Sequence, residues 1–218
     1  MDRVPEPELM EEEEQARAYS SADFEAPHEA FVEESGRAFR GSVSGRILDL
    51  GCGPGDITVR FAKRHPNCTM VGIDGSEAML RFGRERVESE GLSHRVQLKR
   101  VFLPSEGFES GFDGAISNSL LHHLQRPEVL WQSLKDHLQP GSPVFVMDLL
   151  RPPSRARAEE LVTAYSEGEP EVLQRDFFLS LCAAYRPDEI QAQLKAAALS
   201  HLTTEVISDR HWVVYGSL

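Results

Sequence analysis

The chain has 218 residues, 40% of them hydrophobic, 27% charged and 8% aromatic. That is enough apolar material for one α/β core and too much for a disordered chain. Twenty-three Lys and Arg stand against thirty-five Asp and Glu, a formal charge of −12, which argues against a surface built to grip nucleic acid or an anionic membrane. Three cysteines without regular spacing form neither a disulfide framework nor a zinc signature. The N-terminus is acidic where a signal peptide is basic, and no run of about 18 apolar residues could span a membrane. The expected location is the cytoplasm.

Seven acidic residues and one basic residue fall within the first fourteen positions, so half of the excess charge sits in one short arm. This leader runs into a predicted helix at 11–20, and Phe31, Val32 and Phe39 mark a second at 27–40. A Gly/Ser break at 41–45 closes what reads as an N-terminal unit, 1–45, of acidic leader and helical lid. From there the pattern alternates: strand 46–50, glycine loop 51–55, helix 57–64, strand 69–73, helix 77–90, strands 96–101 and 112–117, helix 127–138, strand 143–149. Such alternation predicts βαβ units around a buried parallel sheet. Gln97, Lys99 and Arg100 make the third strand polar and suit it to an edge. Three helical segments follow at 154–166, 170–184 and 187–199, then strands at 202–208 and 211–216. The link between these last two strands is too short for a crossover, so they must be antiparallel. The predicted fold is a Rossmann-like, seven-stranded mixed sheet with an antiparallel last strand and helices on both faces. It occupies 46–218 with a helical insertion at 151–200.

Strand 46–50 runs straight into Gly51-Cys52-Gly53-Pro54-Gly55, and glycines there let backbone amides and a ligand come close. Alone the loop is a weak signal, equally a tight turn with no ligand. Three residues sharpen it. Asp49 is a carboxylate inside an apolar strand, costly unless it meets hydrogen bonds or a cation. Pro54 removes an amide, and Asp56 stands where the dinucleotide fingerprint has its last glycine, so an anionic phosphate is disfavoured. Asp74, twenty-five residues after Asp49, ends the second strand where an acid can accept from both ribose hydroxyls. Ribose, a cationic head and no phosphate describe S-adenosylmethionine.

With L-D-L-G-C-G-P-G, V-G-I-D-G-S-E-A-M-L and F-D-G-A-I-S-N-S-L-L-H-H-L, the chain resembles a class I S-adenosylmethionine-dependent methyltransferase of the small-molecule type over about 46–218. The resemblance implies S-adenosyl-L-methionine as cofactor, S-adenosyl-L-homocysteine as product and a small-molecule acceptor. It puts Asp49 near the methionine amino group and Gly51, Cys52 and Gly53 against the cofactor. It puts Asp74 at the ribose, Gly75 among the cofactor-binding residues, Met79 on the adenine, and Ser117 and Asn118 beside the methionine portion. The Gly-Asp-Ala common after the third strand is replaced by Arg100-Val101-Phe102, so no acid reads the adenine amino group and the backbone amides of Val101 and Phe102 are left to meet the ring.

Methyl transfer from a sulfonium needs alignment and desolvation, and a base only for some acceptors. His122, because an unperturbed histidine titrates near neutral pH, and Asp148 near the end of the fifth strand are the catalytic candidates. Tyr19, His123 and Arg151 are candidates for the acceptor. Tyr19, Phe24, His28 and Phe31 can close the site from one side, and the insertion, with Asp176, Phe177, Phe178 and Tyr185, from the other. No metal is expected, because adjacent histidines diverge on a helix and no third ligand is suitably spaced. Arg81, Arg84 and Arg86 read as a solvated face, and the three cysteines as packing residues. A regulatory protein that keeps the cofactor fold without catalysis is the alternative of a different class, and a nicotinamide-dependent reductase is a second.

Overall fold

A computed structural model of the protein describes residues 1–6, 11–22, 24–39 and 43–218. Within them the strands are β1 (Gly45–Leu50), β2 (Cys68–Asp74), β3 (Val96–Arg100), β4 (Gly114–Asn118), β5 (Pro143–Leu149), β6 (Thr203–Val206) and β7 (His211–Ser217). They form one sheet in the order β3-β2-β1-β4-β5-β7-β6. The first five are parallel to one another, and β7 runs antiparallel to both β5 and β6. The expected mixed sheet is therefore present, with the polar β3 at an edge.

The central strands are apolar along their length because both faces are covered. Successive side chains point to opposite faces, so Leu48 and Leu50 join one apolar cluster with Trp131 and Trp212. Ile47 joins the other, with Phe61, Phe145 and Phe31. Helices α1 (Glu13–Ser21) and α2 (Glu25–Phe39) precede the sheet. Phe31 of α2 packs edge-on against Phe145 of β5, ring centroids 5.1 Å apart, so it belongs to the core and not to the lid surface. Helices α3 (Asp56–Arg64), α4 (Glu77–Ser89) and α5 (Glu128–His137) join successive strands, and α6 (Arg155–Ser166), α7 (Glu171–Ala183) and α8 (Pro187–Ala196) lie between β5 and β6.

Local chemistry sets the helix ends that face the carboxyl edge of the sheet. Gly55 sits before α3 in the left-handed region, φ 71°, a conformation open to glycine at little cost. Ser76 caps α4, its hydroxyl accepting from the Met79 amide at 3.2 Å. Strand β4 begins at Gly114, two residues later than its apolar run suggested, because Phe112 makes only an isolated bridge to Leu138.

Two N-terminal segments cover the same edge. Helix α1 is held by Arg81 of α4 against Glu13 at 2.9 Å and by Gln15 donating to Asp176 of α7 at 2.6 Å. Residues 1–6 lie on the end of α7, where the Val4 amide donates to the Cys182 carbonyl at 3.0 Å. The rest of the leader at 7–10 and the first two residues of the Gly/Ser break, 41–42, lie outside the described residues.

Candidate active site

The glycine loop is laced to the end of β2. The amides of Gly51 and Cys52 both donate to the Ile73 carbonyl, at 2.9 and 3.0 Å. The Gly53 amide donates to Asp74 Oδ2 at 2.9 Å, and Ser76 supplies an amide to Oδ1 at 2.8 Å. Gly53 has φ 50°, and a Cβ added there would meet nothing within 4 Å, whereas one at Gly51 would strike Leu120 at 2.8 Å. The loop thus leaves a bare stretch of backbone at Gly53 beside the end of β1. Asp49, two residues before the loop, is 2% exposed and accepts from the Thr58 hydroxyl at 2.5 Å. Burial, opposed by that hydrogen bond and reinforced by the Asp74 charge, pushes its carboxyl up to about 7.

These groups open onto a cavity of about 610 Å³, within the range of ligand pockets. Asp49, Gly51, Cys52, Gly53, Asp74, Gly75, Met79, Val101, Phe102 and Asn118 line it, as do Tyr19, His122 and His123. Three candidates do not. The Ser117 hydroxyl is buried and donates to the Leu50 carbonyl at 2.8 Å, stitching β4 to β1. Asp148 lies behind the wall against His122. Arg151, its side chain 1% exposed, donates to the Ala184 carbonyl and to Glu189, at 3.2 and 2.7 Å. It fastens the insertion to the sheet and does not reach the cavity. The Val101 amide is also engaged, donating to the Asp74 carbonyl at 3.0 Å, so it does not meet a ligand ring.

Over the cavity Tyr19, Phe24 and His28 form a ladder of rings with centroids 4.8 and 5.2 Å apart. Burial and the charges of Asp56, Asp74 and Asp148 push the Tyr19 phenol up to about 12. The ladder is anchored by Asp56, which receives His28 Nδ1 at 2.6 Å, Arg60 Nε at 2.7 Å and Arg86 Nη1 at 2.8 Å. Burial favours the neutral acid here, but the hydrogen bonds from His28 and Arg60 prevail and hold the carboxyl well below the usual carboxylate range. Arg86 is therefore part of the site's frame, reaching the carbonyls of Pro54 and Ser20 as well. Only its neighbours Arg81 and Arg84 are spent on more exposed pairs, with Glu13 and Glu77.

At the far end of the cavity, residues 121–123 form a turn, not a helix, which brings the rings of His122 and His123 to 4.2 Å. His122 Nδ1 lies 2.5 Å from Asp148 Oδ1, and its amide donates to Asp148 Oδ2 at 3.3 Å. Its Nε2 faces Glu6 Oε1 at 3.4 Å. Burial opposes charge on the ring, yet Asp148 and Glu6 outweigh it and raise the His122 pKa. The same pairing holds Asp148 low against its burial. Each nitrogen of His122 thus faces a carboxylate, which removes the geometric basis for a free general base there. Sequence reasoning missed Glu6, because the arm meets its partners only through the tertiary fold. It also missed His211, a cavity residue whose pKa falls to about 4 through burial and the neighbouring Arg210; its side chain is a neutral imidazole near neutral pH.

A parallel sheet with an antiparallel final strand, a glycine loop, and carboxylates at the ends of β1 and β2 define a Rossmann-like fold. Residues 47–141 match the family model described as a methyltransferase domain. The trans-aconitate 2-methyltransferase of Sinorhizobium fredii is 34% identical over 119 residues, covering 54% of this chain and 44% of that protein. The ubiquinone/menaquinone biosynthesis C-methyltransferase UbiE of Geobacter sulfurreducens is 27% identical over 125 residues, covering 55% and 47%. The chain spans about half the length, or less, of the curated relatives it matches. Among solved structures, a SAM-dependent methyltransferase from Aquifex aeolicus superposes with a TM-score of 0.65 at 16% identity, covering 92% of this chain and 96% of that one. The plantazolicin methyltransferase BpumL, in complex with SAH, gives 0.64 at 15% identity over 93% and 85%. Among the described residues, no helix is long and apolar enough to cross a membrane.

Proposed function

We propose that the protein is an S-adenosyl-L-methionine-dependent methyltransferase that moves a methyl group to an oxygen, nitrogen or carbon of a small molecule and releases S-adenosyl-L-homocysteine. The observation that carries this reading is Asp49. A buried carboxylate with a pKa near 7, facing a cavity beside bare glycine backbone, suits a ligand ammonium. Asp74, which lines the same cavity, would accept from ribose hydroxyls, and the side chains of Met79, Val101 and Phe102, also in its lining, would border an adenine. When bound, the cofactor supplies an activated methyl on a sulfonium.

The chain's own part is then alignment and exclusion of water. Tyr19, Phe24 and His28 roof the cavity, and Phe177, Glu169 and Asp176 of the insertion wall its acceptor end. This arrangement supports reading 1–45 as a lid over a domain at 46–218 whose segment 151–200 is the acceptor cover. His123 and Tyr19 remain the sequence-derived candidates that line the acceptor side, and Asp148 acts through His122 as a positioning residue. The three free, buried cysteines accord with a reducing, cytoplasmic compartment.

Calorimetry with S-adenosyl-L-methionine tests the proposal. The wild-type chain binds one equivalent and Asp49→Asn binds far more weakly; failure of the wild type to bind overturns the reading. A labelled-methyl transfer assay against fractionated small metabolites then identifies the acceptor.

A further inference from the structure

We propose that Glu6, His122 and His123 form a binding site for a divalent metal ion of the zinc class, completed by the N-terminal arm. The proposal does not depend on the methyl-transfer reading. His122 Nε2 and His123 Nδ1 lie 3.4 and 3.3 Å from one and the same oxygen, Glu6 Oε1. A direct charge-assisted hydrogen bond would draw such pairs to about 2.7–2.9 Å. Donor atoms on a tetrahedral zinc, at about 2.0–2.1 Å from the ion, stand about 3.3–3.4 Å from each other. The two observed separations match edges of that tetrahedron, and all three donor atoms lie within 4.8 Å of one another.

The surroundings are those of a ligand set. Asp148 holds His122 Nδ1 at 2.5 Å, which fixes the ring and leaves Nε2 as the donor, the carboxylate–histidine arrangement usual behind a metal-bound imidazole. The Ser180 hydroxyl donates to Glu6 Oε1 at 3.0 Å and orients the carboxylate in the same way. Glu6 is brought there by Arg3, which clasps the carbonyls of Ala183 and His122 at 2.5 and 2.9 Å. Two histidines and one glutamate, with a fourth position for water, form a donor set that zinc accepts. A bound ion would lock the arm onto the wall of the cavity.

The full chain, stripped with chelator and titrated with Zn²⁺ alone by calorimetry, is expected to bind one ion. Glu6→Gln and His123→Ala, each confirmed as folded by circular dichroism, should weaken that affinity by about tenfold or more. Co²⁺ in place of Zn²⁺ should give the intense visible absorption of a four-coordinate site without a thiolate charge-transfer band, which excludes capture by a cysteine. Absence of stoichiometric Zn²⁺ binding by the wild type, or wild-type affinity in both variants, overturns the proposal. S-adenosyl-L-methionine affinity measured on the same samples separates that result from a failure of the methyltransferase reading.

Discussion

Asp56 Oδ2 lies 2.6 Å from Nδ1 of His28, and this contact joins α2 to the first turn of the helix that leaves the glycine loop. The same carboxylate holds Arg86, which continues to the Ser20 carbonyl of α1. One side chain therefore fastens both N-terminal helices and α4 to the loop, so these helices and the candidate cofactor site are mechanically continuous. Charge-assisted hydrogen bonds of this kind contribute about 1.5–3 kcal/mol each. Asp56→Ala should lower stability by about that amount in denaturant titration. It should also release amide hydrogen exchange in 13–39 before exchange in the sheet. Unchanged protection of 13–39 would show that the N-terminal helices are held by something else.

Asp49 makes ligand affinity depend on pH. Its carboxyl titrates near 7 in the folded chain and near 3.9 when unfolded. Its contribution to stability is therefore complete below about 3.9 and is lost as the pH rises through 7. A ligand ammonium requires the ionised form, so binding below pH 7 must expel a proton. Affinity for S-adenosyl-L-methionine should fall by up to about tenfold per unit as pH drops below 7 and level off above it. Asp49→Asn should abolish that slope, weaken binding at pH 8 by about 10–100-fold, and make the ligand-free protein more stable than wild type at pH 8. Calorimetry across pH 5.5–8.5 checks all but the last, and thermal denaturation checks that.

His211 titrates with the opposite consequence. Burial and Arg210 bring it to about 4, below the unfolded value of about 6.5. Its stabilising contribution is present above 6.5 and is lost as pH falls through 4, because the unfolded chain takes up the proton first. His211→Gln should flatten the acid limb of the stability profile between pH 6.5 and 4 by up to about 1.4 kcal/mol per pH unit. Chemical denaturation at four or five pH values measures the slope directly. An unchanged slope would mean that the imidazole is solvated.

The legible parts of this molecule are those written in local pattern. Ile47-Leu48-Asp49-Leu50 followed by three glycines reads as a buried strand and a ligand loop, because alternation and backbone freedom are properties of neighbouring residues. Asp49 could be picked out because a lone acid in an apolar strand is conspicuous. The place of Arg151 is not legible in the sequence, because the Glu189 and Ala184 groups that bury it come from other elements of the insertion. Arg86 reads as solvated in the sequence for the same reason, its partners being Asp56, Pro54 and Ser20. The turn at 121–123 hid the convergence of His122 and His123, which a helix would have splayed apart. Glu6 carries no local signal at all, since an acid in an acidic leader is unremarkable until the arm is seen against α7.

Gly51 and Gly53 should separate folding from binding. Both have positive φ, so a side chain at either carries a backbone cost of about 1–3 kcal/mol. At Gly51 the new Cβ also meets Leu120 at 2.8 Å, within a wall that includes its neighbour Leu121 of the core, so Gly51→Ala adds a steric conflict inside the protein. At Gly53 the methyl meets nothing within 4 Å; it enters space that a bound ligand would occupy. Gly51→Ala is therefore expected to lower the melting temperature more than Gly53→Ala does. Gly53→Ala should reduce S-adenosyl-L-methionine affinity by tenfold or more (about 1.4 kcal/mol) while the chain remains folded. Denaturation and calorimetry on the two variants side by side decide the matter. Equal affinity for wild type and Gly53→Ala would mean that the ligand does not lie against this part of the loop.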